Sequence, residues 1–203
     1  HFHSAELSDA TMGAQEKLFR EAISRLPSRP RLLHADNSAA IVRQGRSAWD
    51  LVRPGIFLYG VGSGSTAAVQ PEPVVHLRAP IVEIRRLEAG DTVSYDATLR
   101  VERAARIATL AVGYADGYPR SLSQVGPALV GGTITPIAGR VTMDMTMIDV
   151  TTVKCEVGDV VTLIGRAGGT VLTVERVADA ASMSPYELLT GLRSRVEKTY
   201  TDP

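Results

Sequence analysis

Val93 to Val150 gathers most of the polar and aromatic residues that could do chemistry. Tyr95 closes the run Thr92-Val93-Ser94 and precedes Asp96. A phenol works as an acid or base only when its pKa of about 10 is lowered or a cationic partner fixes its geometry. Local spacing supplies no such partner, so a half-buried packing role stands beside the catalytic one. Tyr114, Asp116, Gly117, Tyr118 and Arg120 lie in GYADGYPR, where Asp-Gly reads as a hairpin turn flanked by tyrosines. Met143 and Asp144 follow Arg140; Met143 reads as core filler unless the segment bends from a sheet and offers its backbone amide. Arg53 precedes Pro54-Gly55 within an apolar run, a position where an arginine needs a carboxylate or a ligand acceptor. Asn37 and Ser38 open a short helical pattern that could receive an anion. His1 reads equally as a ligand-facing residue, a core histidine or a chain end.

These groups need a folded scaffold, and composition allows one. Of 203 residues, 44% are hydrophobic and 22% charged, the balance of a globular chain rather than a disordered one. Lys plus Arg equals Asp plus Glu at 22 each, so no general pull on nucleic acid or an anionic membrane is expected. The single Cys155 cannot form an internal disulfide, which fits a cytoplasmic setting. No apolar run approaches the roughly 20 residues of a membrane span. GVGSGS lacks the helix that a dinucleotide-binding loop would open, and GxSxG, HExxH and CxxC are absent.

A helix is predicted from about Gln15 to Leu26, with Leu18, Ala22 and Leu26 stacked on one face, and Pro27 and Pro30 stopping it. Arg31 to His34 reads as a buried strand and Trp49 to Tyr59 as a second, interrupted at Pro54-Gly55. The strand, helix, strand rhythm is that of an α/β layer. A full eight-unit barrel needs about 250 residues, so only its later units are expected. Gly60 to Pro73 is the boundary candidate, dividing residues 1–73 from 74–203. Beyond it, strands are predicted at Ala79–Ile84, Thr92–Tyr95, Ile107–Val112, Thr133–Ile137, Met145–Val150 and Val160–Ile164, the pattern of a compact antiparallel domain. A helix is predicted over Val174–Ala181, and Ser184-Pro185-Tyr186-Glu187 is a capping box opening another.

Six ordered blocks now carry a resemblance. HADNSAA at 34–40, VRPGIFLYG at 52–60, VSYDA at 93–97, AVGYADGYPR at 111–120, IAGRVTMDM at 137–145 and PYELLTGLRSRV at 185–196 are similar to motifs of bacterial alanine racemase. The resemblance implies later units of a pyridoxal-phosphate-binding (β/α)8 TIM barrel followed by a mainly antiparallel β C-terminal domain. It implies the cofactor pyridoxal 5'-phosphate, with Ser38, Gly55, Ile56 and Tyr186 holding the phosphate and Arg53 on the pyridine nitrogen. Tyr95 resembles the catalytic tyrosine of a two-base racemisation, with His1 and Arg53 in its hydrogen-bond chain. Met143 resembles the residue whose backbone amide receives the substrate carboxylate, with Asp144 and Tyr114 nearby. The implied partners are a small amino-acid substrate and a second copy in a head-to-tail homodimer. The implied product is D-alanine for peptidoglycan; a racemase of serine or another small amino acid, or a noncatalytic binding module, is the alternative.

Two departures shape these expectations. The chain opens at His1 without Met, and none of Lys17, Lys154 and Lys198 sits in the family's cofactor-lysine motif. The expectation is therefore a C-terminal half to two-thirds whose N-terminal part, carrying the covalent lysine, is missing, and which is inactive alone. Asp96 stands where the family has glycine, and its charge would disfavour a phenolate close by. An adapted approach to Tyr95, with activity kept, is expected.

Overall fold

Asn37 sets the frame of the first of two compact units, which divide the chain at Pro73 and Val74. The structure is a computed structural model describing residues 1–7, 10–62 and 69–201. Within the expected boundary stretch, residues 63–68 lie outside the described residues.

Helix α1 (Thr11–Ser24) starts ahead of its predicted position, and none of its residues is fully buried. Leu18 is exposed instead of forming the expected buried stripe, because the unit's apolar cluster of Phe2, Ala5, Ala35 and Ala40 reaches only Met12 and Phe19 of α1. The Asn37 side chain accepts a hydrogen bond from Ala40 N–H at 3.0 Å and caps α2 (Ser38–Gln44). Its Nδ2 donates to Phe2 O, tying the helix start to the chain's first residues. The two strands expected around α2 contract to one parallel bridge between Asn37 and Arg53. Ile56–Tyr59 forms a 3-10 helix instead of a strand, because Gly55 takes φ −132° and ψ −101°, which ends extended pairing.

In the second unit, β1 (Leu77–Leu87) alternates cleanly at its start, with Leu77, Ala79 and Ile81 buried and Arg78 and Pro80 exposed. Then come β2 (Thr92–Val93), β3 (Leu99–Arg100), β4 (Ala105–Leu110), β5 (Pro127–Val130), β6 (Thr133–Pro136), β7 (Thr146–Asp149), β8 (Val160–Ala167) and β9 (Thr170–Leu172). Helices α3 (Val174–Ala180) and α4 (Pro185–Gly191) follow. The main sheet runs β6-β5-β8-β1-β4-β7 with β9 on β8, and its pairs are antiparallel. The first half of β1 pairs with β8 and the second with β4, with a register shift between Ile81 and Glu83 where the strand changes partner. Ile137, just after β6, bridges Ile148 of β7, so the two ends of the path meet and the sheet curls on itself.

The enclosed core includes Leu110, Leu129, Ile148, Leu163, Leu172 and Leu188, each fully buried and each worth about 2 kcal/mol relative to exposure. A second cluster of Leu87, Val93, Val101, Ile107, Ala138 and Met147 lies where the small β2–β3 hairpin is rooted. Overall, the chain is α/β followed by β. Among the described residues no helix is long and apolar enough to cross a membrane.

Candidate functional site

Apart from Tyr186, the candidate residues fall into separate groups, two in the first unit and two in the second. In the first, Arg53 lies opposite Asn37 on the parallel bridge, and its backbone N–H donates to Asp36 O. Its guanidinium donates to Nδ1 of His34, to Nδ1 of His1 at 3.1 Å and to Ala35 O. A guanidinium has no acceptor, so both imidazoles accept through Nδ1 and carry their ring proton on Nε2. His1 and Arg53 thus come together, and His34 joins them. Nothing in the sequence marked His34 as a partner, because it lies 19 residues from Arg53 and only the bridge brings them side by side. Neighbouring Asp36 is fully buried, and neither carboxylate oxygen has a hydrogen-bond partner among the described residues.

Ser38 and Gly55 form the second group. Ser38 is buried at the start of α2, and its Oγ accepts from Gly55 N–H at 2.8 Å. Ile56 opens the 3-10 helix, whose first amides have no acceptor within the helix. The hydroxyl and these backbone amides make a neutral donor set suited to an oxyanion.

In the second unit, the expected strand Thr92–Tyr95 stops at Val93. Two-residue alternation would bury Tyr95 on the same face as Val93. Ser94 breaks that alternation with φ 70° and ψ 178°, and Tyr95 emerges 70% exposed in a 3-10 turn, its hydroxyl unpartnered among the described residues. Asp96 and Ala97 also take positive φ, 58° and 50°. Asp96 forms an ion pair with Arg140 at 2.9 Å, so its charge is partly compensated rather than directed at the phenol.

Tyr114, Met143 and Asp144 are brought together. The GYADG run does not make the expected hairpin turn; Tyr114–Asp116 is a 3-10 turn, because Asp116 folds back to accept Gly113 N–H at 2.9 Å. Tyr114 N–H donates to Thr142 O and Ala115 N–H to Met143 O, lashing the two motifs backbone to backbone. Met143 is an exposed loop residue rather than core filler, and its own N–H has no acceptor among the described residues. Asp144 and Asp116 are bridged by Arg195, at 2.7 and 3.2 Å. The two carboxylates hold the Arg195 guanidinium more firmly protonated than usual. Tyr118 is fully buried without a partner for its hydroxyl among the described residues, and burial pushes its pKa far up, so it is structural.

Tyr186 is exposed in the first turn of α4, where the predicted capping box is formed. Its carbonyl accepts from Thr190 Oγ1. Sequence reasoning missed Arg140 as the partner of Asp96 and Arg195 as the partner of Asp144. Arg195 lies 51 residues beyond Asp144, and Arg140 is similarly remote from Asp96, so no local pattern encodes either pairing. All three lysines are exposed, and none joins these groups.

The chain was compared with known proteins on this footing. The family profile "Alanine racemase, C-terminal domain" matches residues 74–200, and "Alanine racemase, N-terminal domain" matches residues 1–63. Among curated relatives, the alanine racemase of Sorangium cellulosum is 37% identical over 212 residues, covering 100% of this chain and 56% of the relative. That of Vesicomyosocius okutanii is 42% identical over 160 residues, covering 79% and 45%. Among solved structures, alanine racemase from the D-cycloserine producer Streptomyces lavendulae superposes with a TM-score of 0.92 at 31% identity, covering 100% of this chain and 55% of that one. The Bartonella henselae enzyme with covalently bound pyridoxal phosphate gives 0.91 at 32%, covering 99% and 55%. The chain spans about half the length of the relatives it matches.

These matches correct one expectation. The chain is not solely a C-terminal piece, because the N-terminal domain profile is matched by residues 1–63. The expected missing N-terminal part therefore falls as a partner and as the assumed location of the cofactor lysine. With both domain profiles matched in order along its length, the chain belongs to the alanine racemase family.

Proposed function

We propose that this chain serves the pyridoxal-phosphate-dependent racemisation of alanine, supplying D-alanine for peptidoglycan precursors in the cytoplasm. The observation that carries the proposal is Arg53 held by two imidazoles that can only accept from it, in a chain of this family. The first unit would contribute later strand–helix units of a (β/α)8 barrel, a reading supported by the parallel bridge that flanks α2.

The residues present fit the cofactor at both ends. Ser38 Oγ and the Ile56 amide are donors suited to a phosphate, with Gly55 N–H holding the Ser38 hydroxyl in place. Arg53 offers a permanently protonated donor to a ring nitrogen, leaving that nitrogen without a full proton of its own. When bound, the cofactor supplies the electron sink that makes the amino acid's Cα–H acidic. The chain's own groups do part of the remaining work. The Tyr95 hydroxyl takes or returns the Cα proton on one face, and racemisation needs a second base on the other. The unpartnered Met143 amide receives the substrate carboxylate, with Tyr114 lashed beside it. Asp144 keeps its side chain on Arg195 and leaves binding to the backbone.

The test is cofactor uptake followed by exchange of the alanine Cα proton for deuterium and loss of optical rotation, starting from either enantiomer. Uptake with racemisation, weakened in Arg53→Ala, is the expected result. A protein that takes up no pyridoxal phosphate and exchanges no Cα proton would sink the reading.

A further inference from the structure

The turn that presents Tyr95 is built from residues that resist its shape. Ser94 occupies a backbone region used almost solely by glycine, and Asp96 and Ala97 are left-handed without being glycine. Each such residue is disfavoured by roughly tenfold in a free chain. The surroundings must therefore hold the turn, and they do so chiefly from one loop. Ser94 Oγ donates to Arg140 O at 3.2 Å. Gly139, at φ 79°, packs so closely on Ser94 that a Cβ there would meet the serine Cβ at 2.7 Å. The Arg140 guanidinium reaches over to the Asp96 carboxylate at 2.9 Å. On the far side, Gln124 Nε2 donates to Thr98 O at 2.8 Å, while Gln124 N–H donates to Gly139 O at 3.1 Å.

We propose that the Asp96–Arg140 ion pair is a latch that holds the Tyr95 turn in its projecting form, making both residues positioning residues for the tyrosine. The positioning role rests on the proposed racemase function; the latch itself does not. Asp suits the task because its short polar side chain tolerates the left-handed region and carries the charge that Arg140 grips. Glycine at this position would permit the same backbone but leave Arg140 without a handle. The pair is exposed on the aspartate side, so its hold is modest and sensitive to salt.

The experiment compares Asp96→Asn, Arg140→Gln and Arg140→Lys with the parent chain by amide hydrogen exchange over residues 94–98 and, with pyridoxal phosphate added, by kcat and KM for alanine. Loss of the pair in Asp96→Asn or Arg140→Gln should speed exchange by up to about 5-fold and lower kcat by a similar factor with KM little changed. Arg140→Lys, which keeps the charge, should recover most of both. Exchange that stays at the parent rate in both uncharged variants overturns the latch. A change in KM alone, with kcat intact, overturns the positioning role. If the parent chain does not racemise alanine, the proposed function fails, and the exchange data still decide the latch.

Discussion

Two parts of the β domain present tyrosines to solvent by opposite means. The Tyr114 turn is lashed to the Met143 loop by paired backbone hydrogen bonds, with Asp116 buried beneath it and Arg195 clamping both. The Tyr95 turn carries strained backbone and hangs on one hydroxyl bond, a glycine contact and an exposed ion pair. The first is held by backbone bonds and by the buried Asp116 carboxylate, where an unmade hydrogen bond is costly, with the exposed Arg195 added on the outside. The second is held by groups that water and salt can compete for. A group that binds a carboxylate gains from rigidity, whereas one that exchanges a proton can gain from small adjustments. The contrast fits the proposed division of labour, with binding at the first and proton transfer at the second.

The largest effect expected from this contrast is on activity. Tyr95→Phe should lower kcat by about 10²–10⁴-fold. Its urea midpoint should stay close to the parent's, because the side chain is exposed and its hydroxyl unpartnered. A variant with unchanged kcat would return Tyr95 to a packing role. Gly117→Ala attacks the rigid side: φ is 97°, and the new Cβ would run into the Gly191 backbone. A loss of about 3 kcal/mol of unfolding free energy is expected, read from urea denaturation. Asp116→Ala should cost about 2 kcal/mol by the same measurement, since it strands Gly113 N–H and leaves Arg195 with Asp144 as its one remaining carboxylate among the described residues. Alanine KM should rise with it as the Met143 loop loosens; an unmoved KM would break the link between clamp and binding. The smallest effect is Tyr118→Phe, which removes a buried hydroxyl that has no partner among the described residues. Stability should stay level or rise by up to about 1 kcal/mol, and a clear loss would reveal an interaction at that hydroxyl.

Much of the second unit was legible because its signals are local. Six predicted strands all have counterparts, and the Ser184 capping box forms as its four residues indicate. The strands at Leu99–Arg100, Pro127–Val130 and Thr170–Leu172 escaped prediction; they are two to four residues long, too short to show a period. In the first unit, Asn37 and Ser38 were read as a helix start, and they are one. Its strands were over-read: apolar content at 31–34 and 49–59 suggested pairing that, among the described residues, amounts to the Asn37–Arg53 bridge and one further bond from Asp50 N–H to Leu33 O.

The order of the motifs, the family they belong to, and the devices that depend on a few neighbouring residues, such as the caps at Asn37 and Ser184, are all written in the chain itself. Which groups meet is settled by folding alone: His34 with Arg53, Arg140 with Asp96, and Arg195 with Asp116 and Asp144. So is the outward turn of Tyr95 beside the inward Val93. The difference is one of range. Caps and alternation are set within one turn or one strand, whereas an ion pair between distant segments exists only after the sheet has brought their loops together.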